Sequence, residues 1–452
     1  MTFFRSGLVA SVGNAAVQLV NVLGTMLLAR SLQADMGQYD LLRNVAALAV
    51  TITSLGIGSA NIYVLNGRKV AAPRLASNTL RLLVVLGSGL AAAIAAAILS
   101  FGAYFGRVPV PVAIAFAAAA AATLGGTLLR PFLVAGLEVR RMIVVDLVAP
   151  ATLLAGAIAL SAAGRLDAPN ALLLLSGGNV ASLAVLLWML RARLAFRGPL
   201  DRPLLREVLR CGFQNFAANV MGILLATLTV MLLRYLSLDE GRFGPVALYT
   251  RAVALCGLAM IVPGALGPLL YARWSGAVGP DRRRQVELAA RLNVAYGVAA
   301  AIGLVVLGRY LLHGIYGAAF VGAQAAVYAL APAYALKALF DVYINLFASD
   351  GRAGLTAAIL GGATVVAVAA TLLLVPILGF VGAAVAVLVA DAACVVAAAV
   401  IGWRLHGVSP TRCLVLGPSD LRLLAAQLRW RTRTDGYRER GSARDDRGVL
   451  SR

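Results

Sequence analysis

LVVLGSGLAAAIAAAI (Leu83–Ile98) and LTAAILGGATVVAVAATLLLV (Leu355–Val375) are apolar runs with no polar alternation. About 20 such residues, wound as a helix, cross a hydrocarbon core about 30 Å thick. In lipid every backbone N–H and C=O must bond internally, so only helices and closed barrels can span it. The strands of a barrel would alternate lipid-facing and lumen-facing residues; these runs do not, so they read as helices. Similar runs recur along most of the 452 residues. The composition agrees: 61% hydrophobic, 13% charged, mean hydropathy +0.87. A soluble domain carries roughly 25% charged residues, and a chain this poor in charge cannot cover a water-facing surface.

The runs predict spans near 7–29, 41–65, 80–105, 108–130, 143–163, 170–190, 207–235, 246–271, 289–308, 324–347, 354–376 and 380–403. The fold class is therefore an all-α integral membrane protein of about 12 transmembrane helices. The longest internal connection, 191–206, is basic and holds Pro199 and Pro203. It reads as a linker between a six-helix lobe at 1–190 and a second at 207–403, with a basic tail at 404–452. The first run is long, carries Asn14, Gln18 and Asn21, and lacks a small-residue cleavage site, so it reads as a retained helix rather than a signal peptide.

An even number of spans puts both termini on one side. If that side is the cytoplasm, the inner connections before the tail hold nineteen basic residues and the outer ones eight. The positive-inside rule favours that orientation. The net charge of +21 sits between spans and in the tail, where no soluble domain could hold a nucleic-acid groove. Cys211, Cys256, Cys394, Cys413, His313 and His406 show no spacing that suggests a disulfide framework or a metal site, and no cofactor is expected.

Residues 30–39 read RSLQADMGQY and residues 234–243 read RYLSLDEGRF. Both fit R-x-L-x-x-D-x-G-x-aromatic, 204 residues apart, and each ends the first span of its half. An Asp/Gly turn after a helix explains the chemistry of each copy but not the duplication. Since both halves have the same orientation, the repeat is parallel, related by an axis along the membrane normal.

Polar groups inside the spans carry the functional reading. Ser11, Asn14, Gln18, Asn21 and Thr25 fall at spacings of 3 and 4, on one face of the first helix. Gln214, Asn215 and Asn219 lie in the corresponding half of the seventh. Such faces either bond helices together or line a watery cavity. Lys337, Asp341 and Asn345 share a face of the tenth helix. They read either as an internal Lys337–Asp341 ion pair or as a cavity site whose carboxylate takes up a proton or cation. Asp391, in the twelfth helix, is a second ion-coupling candidate; Asp146, near the inner surface, reads as structural. Arg43 and Arg251 follow the two motif copies. They either snorkel to the outer interface or both face a shared cavity and bind phosphate. Leu421, Leu423, Leu424, Leu428 and Trp430 mix with Arg422, Arg429 and Arg431 in a short basic amphipathic stretch suited to an anionic inner leaflet.

The run LLARSLQADMGQYDLLRNVAALAVTITSLGIGSA (27–60) resembles the opening of polysaccharide-biosynthesis flippases of the multidrug/oligosaccharidyl-lipid/polysaccharide exporter superfamily. The residues that carry the resemblance are Ala29, Arg30, Leu32, Asp35, Gly37, Tyr39 and Leu55–Gly56–Ile57, echoed at 234–243. The resemblance implies a non-enzymatic transporter that flips polyprenyl-diphosphate-linked oligosaccharides. It also implies membrane lipids and polysaccharide polymerase or assembly proteins as partners. Lipid II flippases of the superfamily look as if they use arginines in helices 1, 2 and 8; Arg43 and Arg251 approximate the last two, and a mid-helix arginine in the first span is absent. Two other readings share the pattern: an ion-coupled drug/cation antiporter of the same superfamily, and a membrane glycosyltransferase or polymerase, which would normally need a sizeable outer loop.

Overall fold

A computed structural model describes residues 3–67, 72–136, 138–191, 201–237, 243–274 and 280–414, leaving aside the side chains of 3–12, 14, 66–67, 214–215, 268–269, 272 and 280. Most of the expected linker, the middle of the second motif copy and the amphipathic tail stretch lie outside the described residues. Every regular element among the described residues is helical. The first half comprises α1 (Phe3–Leu32), α2 (Met36–Thr53), α3 (Ile57–Gly67), α4 (Ala72–Ser100), the short α5 (Gly102–Phe105), α6 (Val110–Leu129), α7 (Pro131–Ala135), α8 (Val139–Ala162) and α9 (Ala168–Leu190). The second comprises α10 (Arg202–Leu236), α11 (Gly244–Gly257), α12 (Ile261–Trp274), α13 (Pro280–Tyr316), α14 (Gln324–Ser349), α15 (Ala353–Leu378), α16 (Phe380–His406) and α17 (Pro410–Leu414).

Among the described residues, eleven segments are long and apolar enough to cross a membrane. The first, Ala15–Thr53, has 39 residues, about twice the length one crossing needs. It is interrupted by the 3-10 turn Gln33–Asp35, where Gln33 has φ 50°, so it contributes two arms. Three spans are broken. The second is interrupted at Leu55 (φ 47°) and Gly56 (φ 68°). The fourth is interrupted at Arg130, before Pro131, and the eighth at the 3-10 turn Leu258–Met260.

Both halves use the same helix pairings. In the first, α1 packs on α8, α8 on α9, α9 on α6 and α6 on α4; in the second, α10 packs on α15, α15 on α16, α16 on α14 and α14 on α13. Each is the same sequence of span numbers shifted by six, so the repeat extends through the whole bundle. α13 starts nine residues before its expected span and is 37 residues long, about 55 Å. Its polar first turns are tied by ion pairs: Arg282 Nη2 reaches Asp350 Oδ1 at 2.7 Å, and Arg283 pairs with Glu287 at 3.0 Å.

Candidate substrate cleft and lobe interface

In α1 the glycines decide which face packs. Gly13 lies against Ile143 and Gly24 against Leu153, where a Cβ would come to 3.5 Å, so α8 covers that side. The polar stripe lies about 100° further round. Gln18 is exposed and Asn21 half-buried, and the side chain of neither bonds to a described residue. Thr25 is satisfied by its own helix, donating to the Asn21 carbonyl at 2.9 Å. Asn219 is exposed on α10; the side chains of Asn14 and Asn215 lie outside those described.

The second polar face is on α14. Lys337 is exposed, its ammonium 5.4 Å above the Tyr334 ring. Tyr334 is fixed by donating to the Val253 carbonyl of α11 at 3.3 Å. Asn345 Nδ2 donates to the Asp341 carbonyl at 2.7 Å, and to Oδ2 at 3.5 Å. Gly267 of α12 makes room for them, since a Cβ there would lie 3.1 Å from Asn345 Nδ2. The i, i+4 spacing permits a Lys337–Asp341 ion pair, but the fold does not form it. Lys337 lies within electrostatic reach of both Asp341 and Asp391, and Asp391 is only 6% exposed on α16. The cation thus faces two carboxylates from two helices, closing on neither.

Arg43 and Arg251 part company. Arg43 is exposed and has no ion-pair partner among the described residues. Arg251 neither snorkels nor shares a cavity with it. Its Nη2 pairs with Asp40 Oδ2 at 2.5 Å, both residues only 3% exposed. Thr250 Oγ1 donates to the same carboxylate oxygen at 2.6 Å, and the guanidinium lies 5.2 Å over the Tyr316 ring. Asp40 belongs to α2 and Arg251 to α11, so the pair joins the lobes. An acidic residue directly after the motif's last position reads as an ordinary charge near a helix start, which is why sequence reasoning passes over Asp40.

The lobes are not joined evenly. At the end of the bundle that carries the motifs, α2 meets α11 and α1 meets α13. Toward the opposite end, where the linker lies, α10 stays against α2 and α3, down to Gly56 facing Gly212. Asn78 of α4 also exchanges two hydrogen bonds with the Asp201 backbone, at 2.8 and 3.2 Å. On the other side, among the described residues, α12 packs chiefly on α14. The described contacts thus join the lobes at the motif end and along α10, while α1 and α12 do not pack closely on each other toward the other end.

The polysaccharide biosynthesis protein family matches residues 3–272, more than half of the chain. The chain belongs to that family. The same fold occurs in an inward-facing multidrug resistance MATE family transporter of the MOP superfamily, with TM-score 0.73, 15% identity and coverage of 87% of this chain and 95% of that one. It occurs too in the lipid II flippase MurJ in its inward closed conformation (TM-score 0.69, 10% identity, 90% and 89% covered). A third is a MOP superfamily transporter from Pyrococcus furiosus (0.64, 15%, 89% and 94%). No curated protein matches the chain by sequence. This family member is thus a multi-pass membrane protein with the fold of MOP transporters. The family match takes in Asp40 and Arg251; the Lys337 face lies beyond it.

Proposed function

We propose that this member of the polysaccharide biosynthesis family flips a polyprenyl-diphosphate-linked oligosaccharide across the bacterial cytoplasmic membrane by alternating access, making and breaking no covalent bond. The observation that carries this reading is a pair of polar faces on apolar helices, Gln18–Asn21 on α1 and Lys337–Asp341–Asn345 on α14, in which Gln18 and Lys337 are exposed and Asn21, Asp341 and Asn345 half-buried. A sugar hydroxyl moved into hydrocarbon without a partner costs roughly 2–7 kcal/mol, so a glycan needs such faces to cross. Gln18 and Asn21, with Asn14, Asn215 and Asn219, hydrogen-bond the sugars. Lys337 and Arg43 meet the diphosphate, because an unpaired charge in a low-dielectric cleft is prohibitive. Arg251 is held by Asp40 while the motif end is shut and becomes available when the lobes part. Asp341 and Asp391 serve ion coupling. The linker end, richer in arginine, faces the cytoplasm with both termini; the lipid tail of the substrate stays in the bilayer beside the open α1–α12 side. The protein tail meets anionic inner-leaflet lipids, and polymerase or assembly proteins take the product.

The test is complementation of a strain lacking its own flippase. Lys337→Ala is expected to abolish surface-glycan export at normal protein level, and Lys337→Arg to keep part of it. Lys337→Ala with Asp391→Asn, and separately with Asp341→Asn, removes a carboxylate left without its cation. Normal export by either double variant would make Lys337 a structural counter-ion and overturn the diphosphate assignment.

The buried Asp391 beside Lys337 also fits an ion-coupled drug/cation antiporter. Dye extrusion from proteoliposomes driven by a proton or sodium gradient, without glycan export in the complementation strain, would favour that reading. The connections at the motif end are too short for the catalytic loop of a glycosyltransferase.

A further inference from the structure

Transport as proposed leaves the duplicated motif without a role. Its first residue makes the same pattern of crossing contacts in both copies. Arg30, near the end of α1, crosses to the second lobe, where its Nε donates to the Ile315 carbonyl at 3.2 Å and its Nη2 to the Gly314 carbonyl. Arg234, near the end of α10, crosses to the first lobe. Its Nε donates to the Tyr104 carbonyl at 2.9 Å and its Nη2 to the Ala103 carbonyl at 3.1 Å. The acceptors are equivalent as well. Gly314 and Ile315 precede Gly317 (φ 100°, ψ 172°) by three and two residues; Ala103 and Tyr104 precede Gly106 (φ 78°, ψ 170°) by the same steps. The first site ends the ninth span, the second follows the third, and six spans separate them, as six separate the two arginines. Two crossing contacts with the same nitrogens, the same carbonyl positions and the same glycine conformation do not arise from packing chance.

We propose that the two motif copies are reciprocal arginine clamps, each lobe gripping a helix C-terminus of the other, and that both must release for the cleft to open at the motif end. The last carbonyls of a helix lack intrahelical donors and carry the negative end of its dipole. A planar guanidinium meets two neighbouring carbonyls with two N–H groups in a fixed fork, where lysine offers only a flexible point charge. The other motif residues seat the clamp. Gly37 of the first copy lies under Phe243, the aromatic of the second: a Cβ there would fall 2.9 Å from Phe243 Cβ and 3.0 Å from the Ala247 nitrogen. Phe243 in turn has the Arg234 guanidinium 4.0 Å over its ring. The clamps are unequal. Arg234 is 2% exposed, and Tyr104 Oη donates back to the Met231 carbonyl at 2.8 Å, whereas Arg30 is exposed. Because each clamp runs from one lobe to the other, parting the lobes as rigid bodies breaks both together.

Pulsed electron resonance on the full chain in lipid nanodiscs tests this without any substrate, so its failure is separate from failure of the transport reading. Spin labels go on Arg165→Cys, in the exposed connection between α8 and α9, and on Leu378→Cys, 47% exposed at the end of α15, with the four natural cysteines replaced by alanine. Both sites lie at the motif end, one per lobe. Arg234→Ala is expected to raise the long-distance population on the order of tenfold, the loss of charge-assisted bonds to two carbonyls. Arg30→Ala should raise it less, and the double variant most. Arg30→Lys with Arg234→Lys, which keeps both charges and is the milder change, should fall between. A distance distribution equal to the parent in the folded alanine double variant overturns the proposal. If that variant does not fold, a parent-like distribution in the lysine double variant does so.

Discussion

Arg43 follows Tyr39 by four residues and Arg251 follows Phe243 by eight. That difference of about one helical turn separates their fates. The repeat offset of 204 places Arg251 opposite Ala47, not Arg43, so Arg251 lies about 6 Å further along its helix and reaches Asp40 of the other lobe. Neither charge keeps its water, and the hydroxyl of Thr250 and the ring of Tyr316 make up part of the loss. Removing one member of such a pair strands the other. Arg251→Ala is expected to cost about 3–5 kcal/mol, read as a lowered melting temperature in detergent. Arg251→Met with Asp40→Leu should recover most of it, because an apolar pair of similar volume is tolerated. A double variant that melts as low as the single one would mean that packing, not charge compensation, holds this point.

At the scale of the element, α1 presents a glycine face to α8 and a polar face to the cleft. Cysteines at Gln18 and Asn21 are expected to react with a small water-soluble thiol reagent in membranes, and one at buried Leu28 to stay unmodified. Protection of the first two would place the stripe against protein or lipid instead. The break between α2 and α3 has a different cause. Leu55 and Gly56 take positive φ, and the kinked backbone meets Gly212 of α10, where a Cβ would come 2.7 Å from the Leu55 carbonyl oxygen. Gly212→Leu should overpack this crossing and cost about 1–3 kcal/mol in the same melting assay. Stability unchanged in that variant would show that the crossing yields easily. Sequence alone reads the second span as one helix, because the Leu-Gly-Ile run keeps its hydropathy through the break.

For the whole molecule, orientation is the property that every other assignment leans on. Cysteines at Arg202 and Arg107, both exposed and near opposite ends of the bundle, should label only from the cytoplasm and only from outside, respectively. The reverse pattern would turn the molecule over and make the clamps of Arg30 and Arg234 face the cytoplasm. The repeat was legible in ten residues at each end of the offset. Its extent, four equivalent helix pairings in each half, appears only once the helices are assembled. A second signal was present and passed over: an aromatic residue before glycine at Phe105–Gly106 and Tyr316–Gly317, closing the third and ninth spans.

The sequence by itself determined that this chain is a bundle of membrane helices, roughly where each begins, and that its two halves repeat. Those properties are local: hydropathy over 20 residues, turn chemistry, and helical periodicity, which assigns a residue to a face. Only the tertiary structure decided what each face meets. Arg251 chose a carboxylate 211 positions away rather than lipid or phosphate, Arg30 a pair of carbonyls about 285 away, and Lys337 a place between Asp341 of its own helix and Asp391 of another, closing on neither. Periodicity fixes the angle of a side chain about its helix axis. Its partner depends on how the helices pack and how the two rigid lobes dock, and for the residues that join the lobes no local run of sequence encodes that docking.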